Sequence, residues 1–274
     1  MNPIEAAILG IIQGLTEFLP VSSSGHLVLG GVLLSLTEPH IFFDVIVHAA
    51  TLVATLAFYR DTVKGMLSES LTLGSGIFDS QHWKDGFQAF PEVRLLLMIL
   101  VGSVPTACIG LIFKDELEAL FGEPRFAAWM LLVTAGVLAL TMIQRGTSRG
   151  IAGMTWRDAL AIGLIQGMAV IPGISRSGST IACALLLGID RQLAARYSFL
   201  LSVPAILGAV LLKTKDAVEA GGHVDVLSLV IGFVSAGLVG VLALRFFIPI
   251  VRQGKLHYFV VYLIPVGILG ICVL

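Results

Sequence analysis

The sequence contains few charged residues. Asp, Glu, Lys and Arg make up 13% of its 274 residues, whereas 57% are hydrophobic and the mean hydropathy is +0.96. Soluble globular domains carry roughly 25% charged residues. This composition excludes a soluble domain of ordinary surface polarity and predicts a polytopic membrane protein.

The sequence also lacks a surplus of basic residues and any paired cysteines. The 17 Lys and Arg are balanced by 18 Asp and Glu, and nucleic-acid binding depends on a basic face, so no nucleic-acid partner is expected. The first basic residue is Arg60, so we expect no signal peptide, which would need a basic n-region. Cys108, Cys183 and Cys272 lack the spacing of a disulfide framework or a zinc site and are expected to be packing residues.

Long apolar stretches fill most of the chain, and six of them are long enough to cross roughly 30 Å of hydrocarbon as helices. They are residues 41–59, 93–113, 124–143, 191–212, 226–248 and 257–274. Two further apolar segments, around 13–26 and 166–179, are interrupted by Pro, Ser and Gly. Broken backbone at membrane depth is tolerated where it is buried or lines a wet cavity. We therefore predict an all-α fold of six transmembrane helices and two re-entrant helix-break-helix hairpins.

The two broken segments are copies of each other. A shift of 153 residues aligns Gln13 with Gln166, Gly14 with Gly167, Ser22 with Ser175, Ser24 with Ser177 and Gly25 with Gly178. Each copy comprises one hairpin and three spans, in residues 1–150 and 151–274. An odd number of spans inserts the second copy upside down, so the breaks are expected to meet near the midplane of an inverted repeat.

Basic residues are distributed unequally between the two sides of this predicted topology. The loops near 60–94, 144–157, 190–196 and 245–255 carry 12 of the 17 Lys and Arg, and the opposite side carries 4; the remaining one, Arg176, lies in the second break. Basic loops remain in the cytoplasm. Both termini and the mouth of the first hairpin are therefore predicted to lie on the periplasmic side.

The helix entering the first break carries a carboxylate and an amide on one face. Gln13 and Glu17 are four residues apart, and such groups could hold Mg²⁺ or Ca²⁺ jointly with phosphate oxygens. Alternatively, Glu17 caps backbone N–H groups or pairs with Arg176. Asp44 and His48 form another pair at this spacing, either a contact to the site or its metal or a hydrated helix end.

Three consecutive serines follow the first break. Ser22, Ser23 and Ser24 precede a helix, where hydroxyl and backbone N–H donors at the positive end of the helix dipole favour an anion. The imidazole of His26 can reach Ser22 or Ser23 as a base that activates a nucleophile. Ser23 aligns with Arg176, which would place its hydroxyl beside the guanidinium, so Ser23 is the predicted nucleophile.

The second break carries an arginine instead of acid–base groups. Ser175 and Ser177 again precede a helix, and Arg176 between them can grip two phosphate oxygens. Val170 and Ser179 stand where the first copy has its carboxylate and imidazole. This asymmetry favours an enzyme over a symmetric carrier.

These motifs resemble those of bacterial undecaprenyl-diphosphate phosphatases of the bacitracin-resistance type. The segment Gln13-Gly-Leu-Thr-Glu17 resembles that family's Glu/Gln-x-x-x-Glu element, Phe18-Leu-Pro-Val-Ser-Ser-Ser-Gly-His26 its serine-rich element, and Pro172-Gly-Ile-Ser-Arg-Ser-Gly-Ser-Thr180 its arginine element. The resemblance spans nearly the whole chain. Two features depart from it: Gln13 replaces a glutamate of many members, and the last span lacks an arginine that some members place near Val261-Tyr-Leu263.

The resemblance implies hydrolysis of undecaprenyl diphosphate to the monophosphate at the outer face of the bacterial inner membrane, which recycles the lipid carrier of cell-wall synthesis and confers bacitracin resistance. It implies a divalent metal at Gln13 and Glu17, with Glu17, Ser23 and His26 in catalysis. The residues implied in substrate binding are Ser22, Ser24, Ser175, Arg176, Ser177 and Thr180. The implied partners are this substrate and membrane lipid, and a homodimer is compatible with the architecture. The alternative is a lipid-phosphate or anion transporter on the same scaffold.

Overall fold

The computed structural model describes residues 1–34, 36, 41–75, 90–143, 148–220 and 225–273, and helices dominate these ranges. The helices are α1 (Pro3–Phe18), α2 (Ser23–Leu33), α3 (Ile41–Phe58), α4 (Arg60–Ser75), α5 (Pro91–Ile112), α6 (Lys114–Leu120), α7 (Pro124–Leu140), α8 (Trp156–Met168), α9 (Arg176–Leu186), α10 (Arg191–Ala220), α11 (Val226–Arg252) and α12 (Val260–Val273). The described residues contain no β-strand, and the predicted all-α class is confirmed.

Five helices among the described residues are long and apolar enough to cross a membrane, and they lie at five of the six predicted spans. The first predicted span, 41–59, differs. Its helix 42–58 is followed at once by 60–74, with a bend of 70° between them, so it counts as a sixth span only if the pair is one broken crossing. The chain is thus a multi-pass membrane protein with five or six candidate spans.

The two predicted hairpins are each built from two short helices around a break. The bounds of α2 and α9 correspond at the 153-residue offset, since Ser23 and Leu33 map onto Arg176 and Leu186. The first helices of the hairpins also begin alike. Asn2 and Thr155, again 153 residues apart, each cap a helix in a reciprocal capping box with an acidic residue three positions later. The inverted insertion of the second copy remains a prediction.

Each hairpin packs against the opposite copy. Helix α1 lies along α11, and a β-carbon added at Gly14 would stand 2.6 Å from the carbonyl oxygen of Ala236. Helix α8 lies along α5, where a β-carbon at Gly163 would stand 1.9 Å from the carbonyl oxygen of Gly102. Small residues allow backbones to approach closely in membrane proteins. This crossed packing interlocks the two copies.

A polar clamp fixes the start of the second copy. Arg149 donates to both carboxylate oxygens of Asp158 at 3.0 Å, and Thr155 donates to the same carboxylate through its backbone N–H and hydroxyl. Burial raises the pKa of Asp158, but the hydrogen bonds from Arg149 and Thr155 outweigh that effect and hold the pKa below its ordinary value. The clamp lies outside the predicted spans and orients α8.

Two sequence expectations on the periphery need correction or lie beyond the described residues. Cys108 and Cys272 are exposed on the helix surface, so they are not packing residues of the interior, whereas Cys183 is half-buried. The loop predicted near residues 60–94 is helical over 60–75, and residues 76–89 lie outside the described residues.

Candidate active site

The two breaks contact each other, as the repeat predicted. A β-carbon added at Gly25 would stand 3.0 Å from the Cα of Gly173, and one at Gly178 would stand 3.0 Å from the Cβ of Pro20. The hydroxyl of Ser177 also donates to the carbonyl of Leu19 across the pair, at 3.4 Å. The described geometry therefore brings the polar groups of both copies into one site.

The second break is held in place by helix α7. Gly173 adopts φ +92°, and a β-carbon there would stand 2.1 Å from the carbonyl oxygen of Ala127. The hydroxyl of Thr134 donates to the carbonyl of Gly173 at 2.8 Å and accepts from the backbone N–H of Ser175 at 3.0 Å. Glycine is needed at this conformation and clearance, and the hydroxyl satisfies backbone groups that the break leaves unpaired.

The serines at the two helix starts form matching caps. Ser22 accepts a hydrogen bond from the backbone N–H of Gly25 at 3.3 Å, and Ser175 accepts one from Gly178 at 3.1 Å. The neighbouring hydroxyls, Ser24 and Ser177, lie 3.3 and 3.4 Å from their respective capping hydroxyls. Ser22 and Ser175 are therefore structural caps. The Ser24 hydroxyl beside the first cap can turn to a ligand, whereas the Ser177 hydroxyl beside the second would first have to leave the Leu19 carbonyl.

Glu17 lies at the centre of the site. Only 6% of the residue is exposed, and its Oε1 pairs with the Nη2 of Arg176 from the opposite copy. Its Oε2 accepts hydrogen bonds from the Ser23 hydroxyl at 2.5 Å and from the Gln13 amide at 3.0 Å, and His48 Nε2 lies 3.6 Å away. A buried carboxylate requires such compensation. The pairing of Glu17 with Arg176, expected as an alternative to metal binding, is present.

The structure places His26 differently from the expectation. Its Nδ1 lies 2.8 Å from the carbonyl oxygen of Ser22, and its Nε2 lies 2.8 Å from the hydroxyl of Tyr262. Ser23 donates instead to Glu17, so the expected hydrogen bond between Ser23 and His26 is not the one formed. Because a carbonyl oxygen can only accept, Nδ1 carries the hydrogen and the Nε2 lone pair accepts from Tyr262.

Tyr262 is a site residue that the sequence reasoning did not identify. The rings of Tyr262 and His26 stack with centroids 5.7 Å apart and planes inclined by 12°. Tyr262 lies in the last span, in the segment where some members of the resembled family carry an arginine. That correspondence was the one available signal, because the two residues are 236 positions apart in the chain.

Two donors of the second break have no partner within the described structure. The Nη1 of Arg176 and the hydroxyl of Ser179 are buried without a hydrogen bond. By contrast, the hydroxyl of Thr180 donates to the carbonyl of Arg176 at 2.8 Å and also contacts the hydroxyl of Ser198. Arg176 thus has a guanidinium nitrogen available for an anion, whereas Thr180 is engaged by its own helix.

The donor set near Glu17 fits a cation that takes few protein ligands. Gln13 is fully buried, and its Oε1 has no hydrogen-bond partner. No cluster of three His, Cys, Asp or Glu suited to a metal occurs in the described part of the chain. Mg²⁺ often takes only one or two carboxylates and completes its shell with phosphate oxygens and water. Glu17 with Gln13 satisfies that requirement.

The fold and the site define a multi-pass membrane protein in which two broken hairpins, one from each half of the chain, join a carboxylate, serines and an arginine in a buried polar site. Residues 6–269 match the family described as bacitracin resistance protein BacA, and the chain belongs to that family.

Relatives named undecaprenyl-diphosphatase resemble the chain over nearly its full length. The protein of Desulfosudis oleivorans is 46% identical over 267 residues, which cover 97% of each chain. That of Desulforapulum autotrophicum is 43% identical over 99% of this chain and 98% of the relative. That of Carboxydothermus hydrogenoformans is 41% identical over 100% of this chain and 97% of the relative.

Proposed function

We propose that the protein hydrolyses undecaprenyl diphosphate to undecaprenyl phosphate and inorganic phosphate, and so recycles the lipid carrier of cell-wall synthesis and confers bacitracin resistance. The observation that carries this proposal is the buried Glu17 carboxylate, which contacts both the hydroxyl of Ser23 and the guanidinium of Arg176. Glu17 thereby links the hydroxyl that would attack phosphorus with the guanidinium that would bind phosphate. The names of the full-length relatives agree with this reaction.

The diphosphate would bind where the starts of α2 and α9 meet. Helix N-termini favour anions because their backbone N–H groups are unpaired and the dipole is positive there. The free Nη1 of Arg176 would take a phosphate oxygen, and the hydroxyls of Ser24 and of Ser177, once Ser177 turns from the Leu19 carbonyl, would take others. The Nη2 of Arg176 would stay on Glu17, so the guanidinium would hold the carboxylate and the diphosphate together.

Ser23 would attack the terminal phosphorus. A bond forms between its oxygen and phosphorus, the bond from that phosphorus to the bridging oxygen breaks, and undecaprenyl phosphate leaves with the bonding electrons. The Ser23 proton passes to Glu17, the group 2.5 Å from its hydroxyl oxygen. Water then attacks the phosphoserine, the bond from phosphorus to the serine oxygen breaks, and that oxygen takes back the proton held by Glu17 as phosphate leaves. The water would pass its proton to the Tyr262 hydroxyl, which donates its own hydrogen to Nε2 of His26.

Glu17 and Gln13 would hold a divalent cation beside this site. Bound there, the cation would neutralise charge on the phosphate oxygens. The orphaned Oε1 of Gln13 supports this assignment, since a buried acceptor without a partner costs roughly 1–3 kcal/mol.

The test is phosphate release by the purified protein in detergent, supplied with undecaprenyl diphosphate, with and without a chelator. We expect one phosphate released per lipid, with loss of the activity in chelator. A protein that moved the lipid between leaflets of a liposome without releasing phosphate would be a transporter, and the proposal would be wrong.

We further propose that the site opens to the periplasm and that both termini lie there, because 12 of 17 basic residues lie in the loops of the other side. Single cysteines at Asn2 and Glu118, in a background without the three native cysteines, should react with an impermeant maleimide in intact spheroplasts. A cysteine at Ser148 should react only after lysis. Labelling of Ser148 alone in intact spheroplasts would reverse the topology.

A further inference from the structure

The imidazole ring of His48, on helix α3, faces the carboxylate of Glu17, and a hydrogen bond on the opposite side of the ring fixes its orientation. Its Nδ1 lies 2.7 Å from the carbonyl oxygen of Asp44, so Nδ1 carries a hydrogen and donates it. The backbone carbonyl of His48 accepts from Thr51, at 2.9 Å. The other ring nitrogen, Nε2, lies 3.6 Å from Oε2 of Glu17. Metal-binding histidines almost always donate their second ring N–H in this way, which aims the free lone pair at the metal.

The contact between His48 and Glu17 is incomplete without a positive charge between them. A neutral imidazole with its hydrogen on Nδ1 presents a lone pair to the carboxylate, and two acceptors facing each other repel. At 3.6 Å the two atoms are also too far apart for an ordinary hydrogen bond. A cation bound by both atoms would remove the repulsion.

Gln13 supplies a third ligand from the adjoining helix. Its amide nitrogen lies 3.0 Å from the same Oε2 of Glu17, and its amide oxygen is buried without a partner. Half a turn of the amide exchanges the two atoms and directs the oxygen toward Glu17. Metal–ligand distances of about 2.1 Å place neighbouring ligand atoms roughly 3.0–3.4 Å apart, close to the observed separations of 3.0 and 3.6 Å.

The remaining contacts of Glu17 are compatible with a cation at Oε2. Arg176 occupies the other carboxylate oxygen, Oε1. Ser23 donates to one lone pair of Oε2, and the half turn of the Gln13 amide would free the second, which that amide now occupies. The unpartnered Gln13 oxygen lies on α1 and His48 lies on α3, so the three ligands come from two helices that pack together.

We propose that His48 is a metal ligand and that it binds, together with Glu17 and Gln13, a first-row transition cation such as Mn²⁺. This proposal rests on the proposed function and specifies its metal. One imidazole nitrogen with two oxygens favours Mn²⁺, Fe²⁺ or Zn²⁺ over Ca²⁺ and Mg²⁺, which prefer oxygen ligands alone. Three ligands leave positions open for water and for the phosphate oxygens of the substrate.

Electron spin-echo spectroscopy of Mn²⁺ bound to the full-length protein in detergent tests the proposal, because modulation from ¹⁴N reports an imidazole nitrogen on the metal. The protein should carry an affinity tag without histidine. We expect one Mn²⁺ per chain with nitrogen modulation in the wild type. His48→Leu, which supplies no ligand atom, should bind Mn²⁺ at least about tenfold more weakly and lose the modulation. His26→Asn, the matched control, should keep both.

A second variant separates ligation from a structural role. His48→Asp replaces the nitrogen ligand by an oxygen ligand, so it should retain Mn²⁺ affinity within about tenfold while losing the nitrogen modulation. Wild-type protein that binds no Mn²⁺, or binds it without nitrogen modulation, would overturn the proposal and make His48 a protonated partner of Glu17. Unchanged affinity in His48→Leu would overturn it equally.

Phosphate release from undecaprenyl diphosphate, measured on the same preparations with Mg²⁺, keeps the two proposals distinguishable. Release without a nitrogen-ligated Mn²⁺ contradicts only the role of His48. A nitrogen-ligated Mn²⁺ without release contradicts only the proposed function.

Discussion

The two hairpins share a frame but differ in the groups that the frame presents. Both begin with a reciprocal capping box and both have a serine cap after the break. The buried glutamines of the two hairpins have different hydrogen-bond partners. Gln13 donates to Glu17 in the first hairpin, whereas Gln166 donates to Thr106 and to the carbonyl of Leu201 in the second. The backbone features are thus alike in the two hairpins, whereas the side chains differ: the first carries Glu17 and His26, and the second carries Arg176.

The largest expected effect comes from Ser23, the position where the halves differ most. Ser23→Ala should lower turnover by at least about a hundredfold, the scale of losing a positioned catalytic group, with substrate binding retained. Ser24→Ala is the control and should cost less. The measurement is phosphate release at saturating lipid; a variant that kept a tenth of wild-type turnover would favour direct attack by water.

Substitutions of Arg176 test the proposed role of the second hairpin in binding the anion. Arg176→Lys should be nearly as damaging as Arg176→Ala, by about 30-fold or more, because lysine keeps the charge but loses the fork that reaches Glu17 and phosphate together. Phosphate release should be measured for both variants, together with a check that each is folded in detergent. Near wild-type activity of the lysine variant would mean that a positive charge is sufficient.

Tyr262 tests whether His26 needs support from the last span. Tyr262→Phe removes the hydroxyl that donates to Nε2 and should lower kcat about three- to tenfold, with KM unchanged, since one neutral hydrogen bond contributes about 0.5–1.5 kcal/mol. Tyr258→Phe, nearby in the chain and without this contact, should have no effect. A rise in KM alone would place Tyr262 against the substrate instead.

The smallest effects should come from the matching caps. Ser22→Ala and Ser175→Ala should each lower stability by about 1 kcal/mol, the typical contribution of a helix N-cap, and by similar amounts. Thermal unfolding in detergent measures both. If the loss for Ser22→Ala far exceeded that for Ser175→Ala, the two breaks would not share one structural role.

Much of the fold could be predicted because hydropathy and the internal repeat are visible in the sequence itself. Hydropathy located the long spans, and the 153-residue offset identified both hairpins and their contact. The bend lies at residue 59, the predicted end of the first span, but helix α4 beyond it was missed because residues 60–75 are too polar to be counted as a span. Cys108 and Cys272 were assigned to the interior because, in a membrane protein, apolar residues face lipid as readily as protein.

The site was only partly predictable because its contacts depend on side-chain direction. Glu17, Ser23 and Arg176 were placed together by the repeat, and the structure brings them into contact. The proximity of His26 to Ser23 in sequence suggested a base, but the ring turns toward Tyr262. No sequence pattern relates residues so far apart, so that contact could be found only from the fold.

The crossed packing has a consequence for biosynthesis. Glu17 meets Arg176 only after a further 159 residues have been made, which takes roughly 10–30 s at ordinary rates of translation. The groove on α11 that receives α1 emerges later still. Until Arg176 has been made, the carboxylate of Glu17 lacks the guanidinium that pairs with it in the folded protein. The site around Glu17 is therefore completed late, although its first residues are among the first to be made.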